Sequence, residues 1–427
     1  HQHFMLVPSF TVAENIFLGD EPRKNKIFMD VKKASQKTKE LSEIYGLKVN
    51  PYEKVQDLSV GIQQRIEILK VLAKGADILI LDEPTAVLTP QETKELFSVI
   101  KNIVNELGKT VILITHKLQE VLEISHRVSV MRNGKLVGTL KIEDATEQLL
   151  AEMMVGREVI FDQLNRSNNS PGKTLLEVEN LKVIDNLGLL AIDGVSFSVR
   201  EGEILGIAGV EGNGQSELAE SISGLREVQN GKIYINGIDV TTYTPSKIRD
   251  AGLSHVPEDR LKTGLARQAS VTENLILGNQ HKKPYIGFAL KLNQKEIKSR
   301  SKKLISDFDI RTPSGNTKVE NLSGGNMQKL VVAREFSFES KVLLISQPTR
   351  GLDINAAEFI HQQIINMRNN GCAILLISAD LDEIFRLSDR IITIYEGKIT
   401  GEFKTENTTK QEIGLYMTGK HFTDEVV

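Results

Sequence analysis

Apolar residues along this chain follow two rhythms. Unbroken apolar runs occur in "ILILDE" (78–83), "VILITH" (111–116), "EILGIAG" (203–209) and "AILLIS" (373–378). Such runs predict strands buried on both faces of a parallel sheet. Between them lie helical periods. In "TPQETKELFSVIKNIVNELG" (89–108), Phe97, Ile100, Ile103, Val104 and Leu107 make one apolar stripe. Thr89 stands at the N-cap, Pro90 suits the first turn and Glu92 completes a capping box. "KLNQKEIKSRSKKLISDF" (291–308) also reads as helix, basic on one side. A solvated face accounts for it better than contact with a membrane surface.

The pattern repeats. "TVAENIFLG" (11–19) returns as "SVTENLILG" (270–278), and "DLSVGIQQRIEILKVLAKGADILILDEPTAVL" (57–88) as "NLSGGNMQKLVVAREFSFESKVLLISQPTRGL" (321–352). "VILITHKLQEV" (111–121) returns as "AILLISADLDEI" (373–384). Two homologous halves in tandem are expected: a first domain over 1–156, a polar linker over 157–174 and a second domain over 175–427. The second half opens well before its first matched block, at "TLLEVENLKV" (174–183). The expectation is therefore that the first half lacks its N-terminal strands and its own phosphate loop. Each half is read as α/β, a mostly parallel sheet plus a helical subdomain.

Composition narrows the partners. A net charge of −3 argues against a nucleic-acid binder held by bulk charge. The single cysteine, Cys372, excludes an internal disulfide, reads as a small buried apolar residue and suits a reducing compartment. No apolar stretch reaches the ~18 residues needed to span a bilayer.

"GVEGNGQSEL" (209–218) has the glycine spacing of a phosphate-binding loop, G-x-x-x-x-G-K-[ST]. Gly209, Gly214 and Ser216 fit and Gly212 adds a glycine, but Gln215 replaces the lysine. That removes one charge-assisted contact, roughly 1.5–3 kcal/mol, or about 10- to 150-fold in affinity. The backbone N–H groups still form an anion nest, so weakened binding and a plain tight turn both stay open. "ILILDEPTA" (78–86) is an apolar strand closed by two carboxylates. Asp82 is placed to hold Mg²⁺ and Glu83 to polarise an attacking water, at the end of a strand where such sites form. The order "LSVGIQQR", "ILILDEPTA", "LITH" makes this far more specific than a lone Asp-Glu pair.

With those blocks in hand, both halves resemble ABC-transporter ATPases over nearly the whole chain. "LSGGNMQK" (322–329) is similar to that family's signature, Asp82 and Glu83 to its Walker B pair, His116 to its switch histidine and Gln2, in "HQHFML", to its Q-loop glutamine. Asp353 in "RGLDINA" matches the D-loop aspartate. The tandem arrangement resembles the importers of simple sugars and nucleosides, and the wording favours the nucleoside branch.

The resemblance implies two composite sites. One takes Gln2, Asp82, Glu83 and His116 from the first half, with Asp82 and Gln2 on Mg²⁺, and Ser323, Gly324, Gly325 and Asp353 from the second. Its signature works as a helix N-terminus offered to phosphate. The other joins Gly209, Gly212, Gly214, Gln215 and Ser216 to Ser59 and Gly61. There Ser346 and Gln347 align with Asp82 and Glu83, Glu258 with Gln2 and Ala379 with His116. Val60 replaces a signature glycine, and Thr89 stands where the D-loop aspartate would be. Hydrolysis is expected at the first site alone, with ATP and Mg²⁺ as cofactors. The implied partners are two integral membrane permease subunits and, indirectly, an extracellular solute-binding protein, with no nucleic acid. The implied location is peripheral, on the cytoplasmic face of the cell membrane. Two rivals are a soluble tandem ABC protein without a transport role and a non-catalytic nucleotide-binding scaffold. The short linker and the single cysteine count against the first.

Overall fold

A computed structural model describes residues 5–24, 28–85, 88, 90–115, 117–132, 134–155, 170–210, 212–286, 291–338, 340–352 and 354–419, without the side chains of Val60, Pro90 and Val155. They fall into two compact units, 1–159 and 160–427.

The first unit contains helices α1 (Val12–Ile16), α2 (Val31–Tyr45) and α3 (Val60–Leu72). Then follow strand β1 (Ile78–Asp82), helix α4 (Pro90–Asn105), strand β2 (Thr110–Ile114) and helix α5 (Leu118–Ile124). The hairpin β3 (Arg127–Arg132) and β4 (Lys135–Lys141) and helix α6 (Glu147–Val155) complete it. β1 and β2 pair in parallel, with Leu79 opposite Val111 and Asp82 opposite Ile114. Helix α4 buries Phe97, Ile100 and Ile103 against the core of this unit. It ends at Asn105 and not at 108, because Gly108 turns the chain with a φ of 62°. Leu107 falls beyond the stripe and is exposed. The N-cap expected at Thr89 lies outside the described residues.

The second unit has β5 (Thr174–Ile184), β6 (Leu190–Arg200), β7 (Ile204–Ala208), α7 (Gln215–Ile222), β8 (Asn230–Ile235) and β9 (Ile238–Asp239). Next come α8 (Pro245–Asp250), β10 (Leu253–Val256), α9 (Val271–Ile276), α10 (Gln294–Asp307) and α11 (Gly324–Phe336). The unit closes with β11 (Val342–Ser346), α12 (Ile354–Asn369), β12 (Ala373–Ser378), α13 (Leu381–Leu387), β13 (Arg390–Tyr395), β14 (Lys398–Lys404) and α14 (Lys410–Tyr416). Its main sheet runs β10-β11-β12-β7-β13-β14, parallel except for β14. A separate antiparallel sheet, β9-β8-β5-β6, makes the unit mixed where a mostly parallel sheet was expected.

The main sheet is covered on both faces. Leu343, Ile345, Ile374 and Leu376 pack with Leu330 and Val331 of α11, Ile360 and Ile364 of α12 and Ile384 of α13. Val342, Leu344, Leu375 and Ile377 pack with Leu218 and Ile222 of α7, Ile248 of α8 and Val178 of β5. Every residue of β7, β11 and β12 is consequently buried. The first unit departs from the expectation of strands buried on both faces. Leu79 is 2% exposed, but Ile78, Ile80, Ile112 and Ile114 are 59, 62, 47 and 49% exposed. Among its described residues, no layer corresponds to α7 and the antiparallel sheet, so one face of β1 and β2 stays open.

The repeat "TVAEN"/"SVTEN" has a local cause. Thr11 and Ser270 each cap a helix through a full capping box with Glu14 and Glu273. Asn15 and Asn274, fully buried, each bridge backbone groups: Asn15 those of Val7, Asn274 those of Ala266. Polar groups this deep require such partners.

Candidate functional site: two strand ends and one phosphate loop

In the first unit β1 delivers Asp82 to its C-terminal mouth, where its side chain is exposed, and Glu83 follows. Glu83 has a left-handed backbone, φ 46°, and its N–H donates to Ile114 O at 2.8 Å. A non-glycine residue held this way costs about 1–3 kcal/mol and marks a position that the surroundings dictate. One such constraint is a buried pair that sequence reasoning missed. Thr85 Oγ1 donates to both carboxylate oxygens of Glu120, at 2.6 and 2.8 Å. Glu120 also accepts from Thr115 Oγ1 at 3.4 Å and pairs with Lys117 at 3.5 Å. It thus ties the turn after β1 to the loop after β2. An alignment of the repeats could have suggested it, since Glu383 repeats Glu120 and accepts from Thr349 at 2.7 Å. Gln2, His116 and Asp353 lie outside the described residues. An exposed carboxylate at a strand mouth suits a hard cation such as Mg²⁺, which takes oxygen ligands.

Ser59 is the N-cap residue of α3, and Gly61 sits in its first turn beside Glu92 of α4, where a Cβ would collide with the Glu92 carboxylate. The side chain of Val60, which replaces a signature glycine, lies outside the described residues.

The second unit carries the phosphate loop between β7 and α7. Gly212 and Gly214 have φ of 93° and 99°. A Cβ on Gly214 would lie 2.5 Å from Ala191 O, so only glycine fits there. A Cβ on Gly209 would lie 3.0 Å from Ile394 O. Gln215 turns its amide back across the loop: Nε2 donates to Val210 O at 2.8 Å, and Oε1 accepts from Asn213 N at 3.0 Å. Ser216 Oγ donates to Glu258 Oε2 at 2.9 Å, and Arg350 Nη1 donates to Glu258 Oε1 at 2.9 Å. At the end of β11, Ser346 Oγ is buried and has no partner among the described residues. Gln347 repeats the turn of Glu83, with φ 48° and its N–H on Ile377 O at 2.8 Å.

Ser323 precedes α11 as its N-cap residue. Asn326, which departs from the usual signature, donates to Ser323 Oγ at 2.9 Å and accepts from Arg311 N at 2.8 Å. Gly325 leaves room beside Ala356, where a Cβ would stand at 3.6 Å. Arg260 was missed by sequence reasoning. Its Nη2 would lie 3.1 Å from a Cβ on Gly324, and its Nη1 donates to Arg350 O at 3.1 Å. Burial lowers its pKa, Asp259 opposes that shift and Arg350 adds to it.

A cavity of about 380 Å³ opens beside this unit's loop after β10, lined in part by Arg249, His255, Pro257, Gly278, His281 and Arg334. Glu335 sits fully buried beneath it, paired with Arg249 at 2.8 Å and Arg334 at 2.7 Å. Burial pushes the pKa of His255 down to about 4; Glu335 opposes, Arg249 and Arg334 assist.

Glycine-rich loop, carboxylate-tipped strand and glycine-led helix define a nucleotide-binding protein of the phosphate-loop class. The family model for ABC transporters matches residues 1–86 and 192–350. The chain is similar to the nucleoside import ATP-binding protein NupA of Lactococcus lactis subsp. cremoris, 46% identical over 99% of this chain and 83% of that one. It is 49% identical to the guanosine import ATP-binding protein NupO of Bacillus subtilis, over 98% of this chain and 81% of that protein. It is 42% identical to the glucose import ATP-binding protein TsgD13 of Haloferax volcanii, over 98% and 81%. The chain belongs to the ATP-binding proteins of the sugar and nucleoside branch of ABC importers. No described helix is long and apolar enough to cross a membrane.

Proposed function

We propose that this chain energises the import of nucleosides, working with two membrane permease subunits from the cytoplasmic face of the membrane. An extracellular binding protein delivers the solute. ATP with Mg²⁺ is hydrolysed at one composite site, drawing on Gln2, Asp82, Glu83 and His116 from the first half and on Ser323, Gly324, Gly325 and Asp353 from the second. When bound, Mg²⁺ neutralises phosphate charge; Asp82 is the carboxylate placed to hold it and Glu83 the one placed to orient water.

The observation that carries this reading is the pair of strand ends. The same left-handed turn presents Asp82-Glu83 in one half and Ser346-Gln347 in the other. One has the groups for metal binding and proton transfer, and the other has neither. Identity to NupA and NupO supports nucleosides over sugars. Uptake assays on the reconstituted transporter test the reading: labelled nucleoside should enter in an ATP-dependent way, and ribose or glucose should not. Entry of sugar alone would move the protein to the sugar branch.

A further inference from the structure

The two signature helices begin with the same backbone and with different charges beside it. Ser59 and Ser323 are the N-cap residues of α3 and α11, and neither side chain caps its own helix. The first N–H groups of a helix have no partner within it, so both heads suit an anion. Gly61 and Gly325 are equivalent, each the second residue of a 13-residue helix. Glu92 and Ala356 are equivalent too, each the third residue of the 16-residue helices α4 and α12. At α11, a Cβ on Gly325 would stand 3.6 Å from that of Ala356. At α3, a Cβ on Gly61 would overlap the Glu92 carboxylate, with Cδ at 2.9 Å. We propose that Glu92 closes the first half's signature to phosphate and that Arg260 equips the second half's signature for it, so that these two side chains decide which signature serves ATP. The inference rests on the nucleotide chemistry proposed above.

Charge carries the argument. A helix head offers about half a positive charge. Glu92 lies in the first turn of α4 as well as beside that of α3, so one carboxylate cancels what both heads offer. A phosphate arriving there meets a filled space and a like charge. At α11 the same position is an alanine, and a cation stands at the neighbouring glycine. Arg260 Nη2 lies 3.1 Å from a Cβ on Gly324. Its Nη1 is held by Arg350 O at 3.1 Å, and its Nε is buried with no partner among the described residues. The adjacent carboxylates are engaged elsewhere. Asp259 accepts from Leu261 N and Lys262 N at 2.9 and 3.0 Å, and Glu258 from Ser216 and Arg350. The cations further along the two helices do not distinguish the heads. Arg65 pairs with Glu95, and its equivalent Lys329 pairs with Asp309 at 2.7 Å.

The test uses the assembled transporter. Ala356→Glu gives α11 the carboxylate that Glu92 gives α3. It should lower ATP hydrolysis by about 10- to 150-fold, the worth of one charge-assisted contact. Ala356→Gln, equal in size and uncharged, should keep most of the rate. Arg260→Gln should lower the rate by about 10-fold or more, and Arg260→Lys should restore most of it. Glu92→Ala should leave the rate unchanged and tighten the weaker step of binding of a non-hydrolysable ATP analogue, measured by calorimetry, by about 10-fold or more. Equal losses in Ala356→Glu and Ala356→Gln overturn the inference. So does an Arg260→Gln protein of wild-type rate, or analogue binding that Glu92→Ala leaves unaltered. If thermal melts show that Ala356→Glu does not fold, the Glu92→Ala binding decides. A wild-type transporter that hydrolyses no ATP sinks the proposed function, and the Glu92→Ala binding then decides this inference separately.

Discussion

Glu83 and Gln347 occupy one and the same turn. Each follows a parallel strand, each has a left-handed φ, 46° and 48°, and each donates its N–H at 2.8 Å to the neighbouring strand, at Ile114 and Ile377. The backbone device has been kept in both halves while the side-chain chemistry has diverged.

If Glu83 has the role proposed for it, Glu83→Gln in the assembled transporter should lower kcat by about 10²–10⁴ with ATP affinity nearly unchanged, because a general base is then lost and a phosphate contact is not. Gln347→Glu should leave the rate unchanged, since Ala379 and Gln215 still lack the groups that act with it. Steady-state phosphate release on the three proteins measures both. A Glu83→Gln protein of near wild-type rate would refute the assignment.

Gln215→Lys should tighten nucleotide binding at the second loop by about 10- to 150-fold, the worth of one charge-assisted contact. Gly214→Ala should do the opposite to the fold. Its φ of 99° and the clash with Ala191 O leave no room for a methyl group. A loss of more than about 2 kcal/mol in chemical denaturation is expected, from left-handed strain together with overpacking.

His255 is buried, and its pKa lies at about 4 against 6.5 in the unfolded chain. Between those values the unfolded chain binds the proton and the folded one does not. The stability it contributes is present above pH 6.5 and falls as pH drops toward 4, by about 3 kcal/mol at most. His255→Gln should flatten that part of the stability–pH curve. Urea titrations at pH 7, 6, 5 and 4 measure the slope, and an unchanged slope would refute the burial argument.

Leu344 and Ile80 are equivalent positions of the repeat with opposite surroundings, one fully buried and the other 62% exposed. Leu344→Ala should cost about 2–5 kcal/mol, as buried leucines do. Ile80→Ala should cost under about 0.5 kcal/mol, as exposed positions do. The double replacement of Ile78 and Ile80 by lysine should reduce binding of a hydrophobic dye without lowering the melting temperature.

Much of this was legible in the chain. β7, β11 and β12 announce themselves as apolar runs because both faces of the sheet are covered, and "GVEGNGQSEL" announces its loop because glycine alone takes those φ values. The same apolar rhythm misled at Ile78, Ile80, Ile112 and Ile114. A run of isoleucines reports that both faces are apolar, and whether a layer covers each face is a tertiary fact. The Thr85–Glu120 tie was hidden for a related reason. Its partners lie 35 residues apart and become neighbours only when β1 and β2 pair. The end of α4 at Asn105 was decided by Gly108, while Leu107 kept up the apolar rhythm beyond it. Arg260 follows a loop with no periodicity, so nothing in its spacing points to the helix it touches.

That contact gives Gly324 two claimants. The usual reason for a glycine at the head of this helix is the approach of a phosphate group. Here the guanidinium of Arg260 stands 3.1 Å from where a side chain would begin. A methyl group there would push the end of the Arg260 side chain aside by a few tenths of an ångström, so the glycine that opens the helix to a phosphate also leaves Arg260 its place on the Arg350 carbonyl.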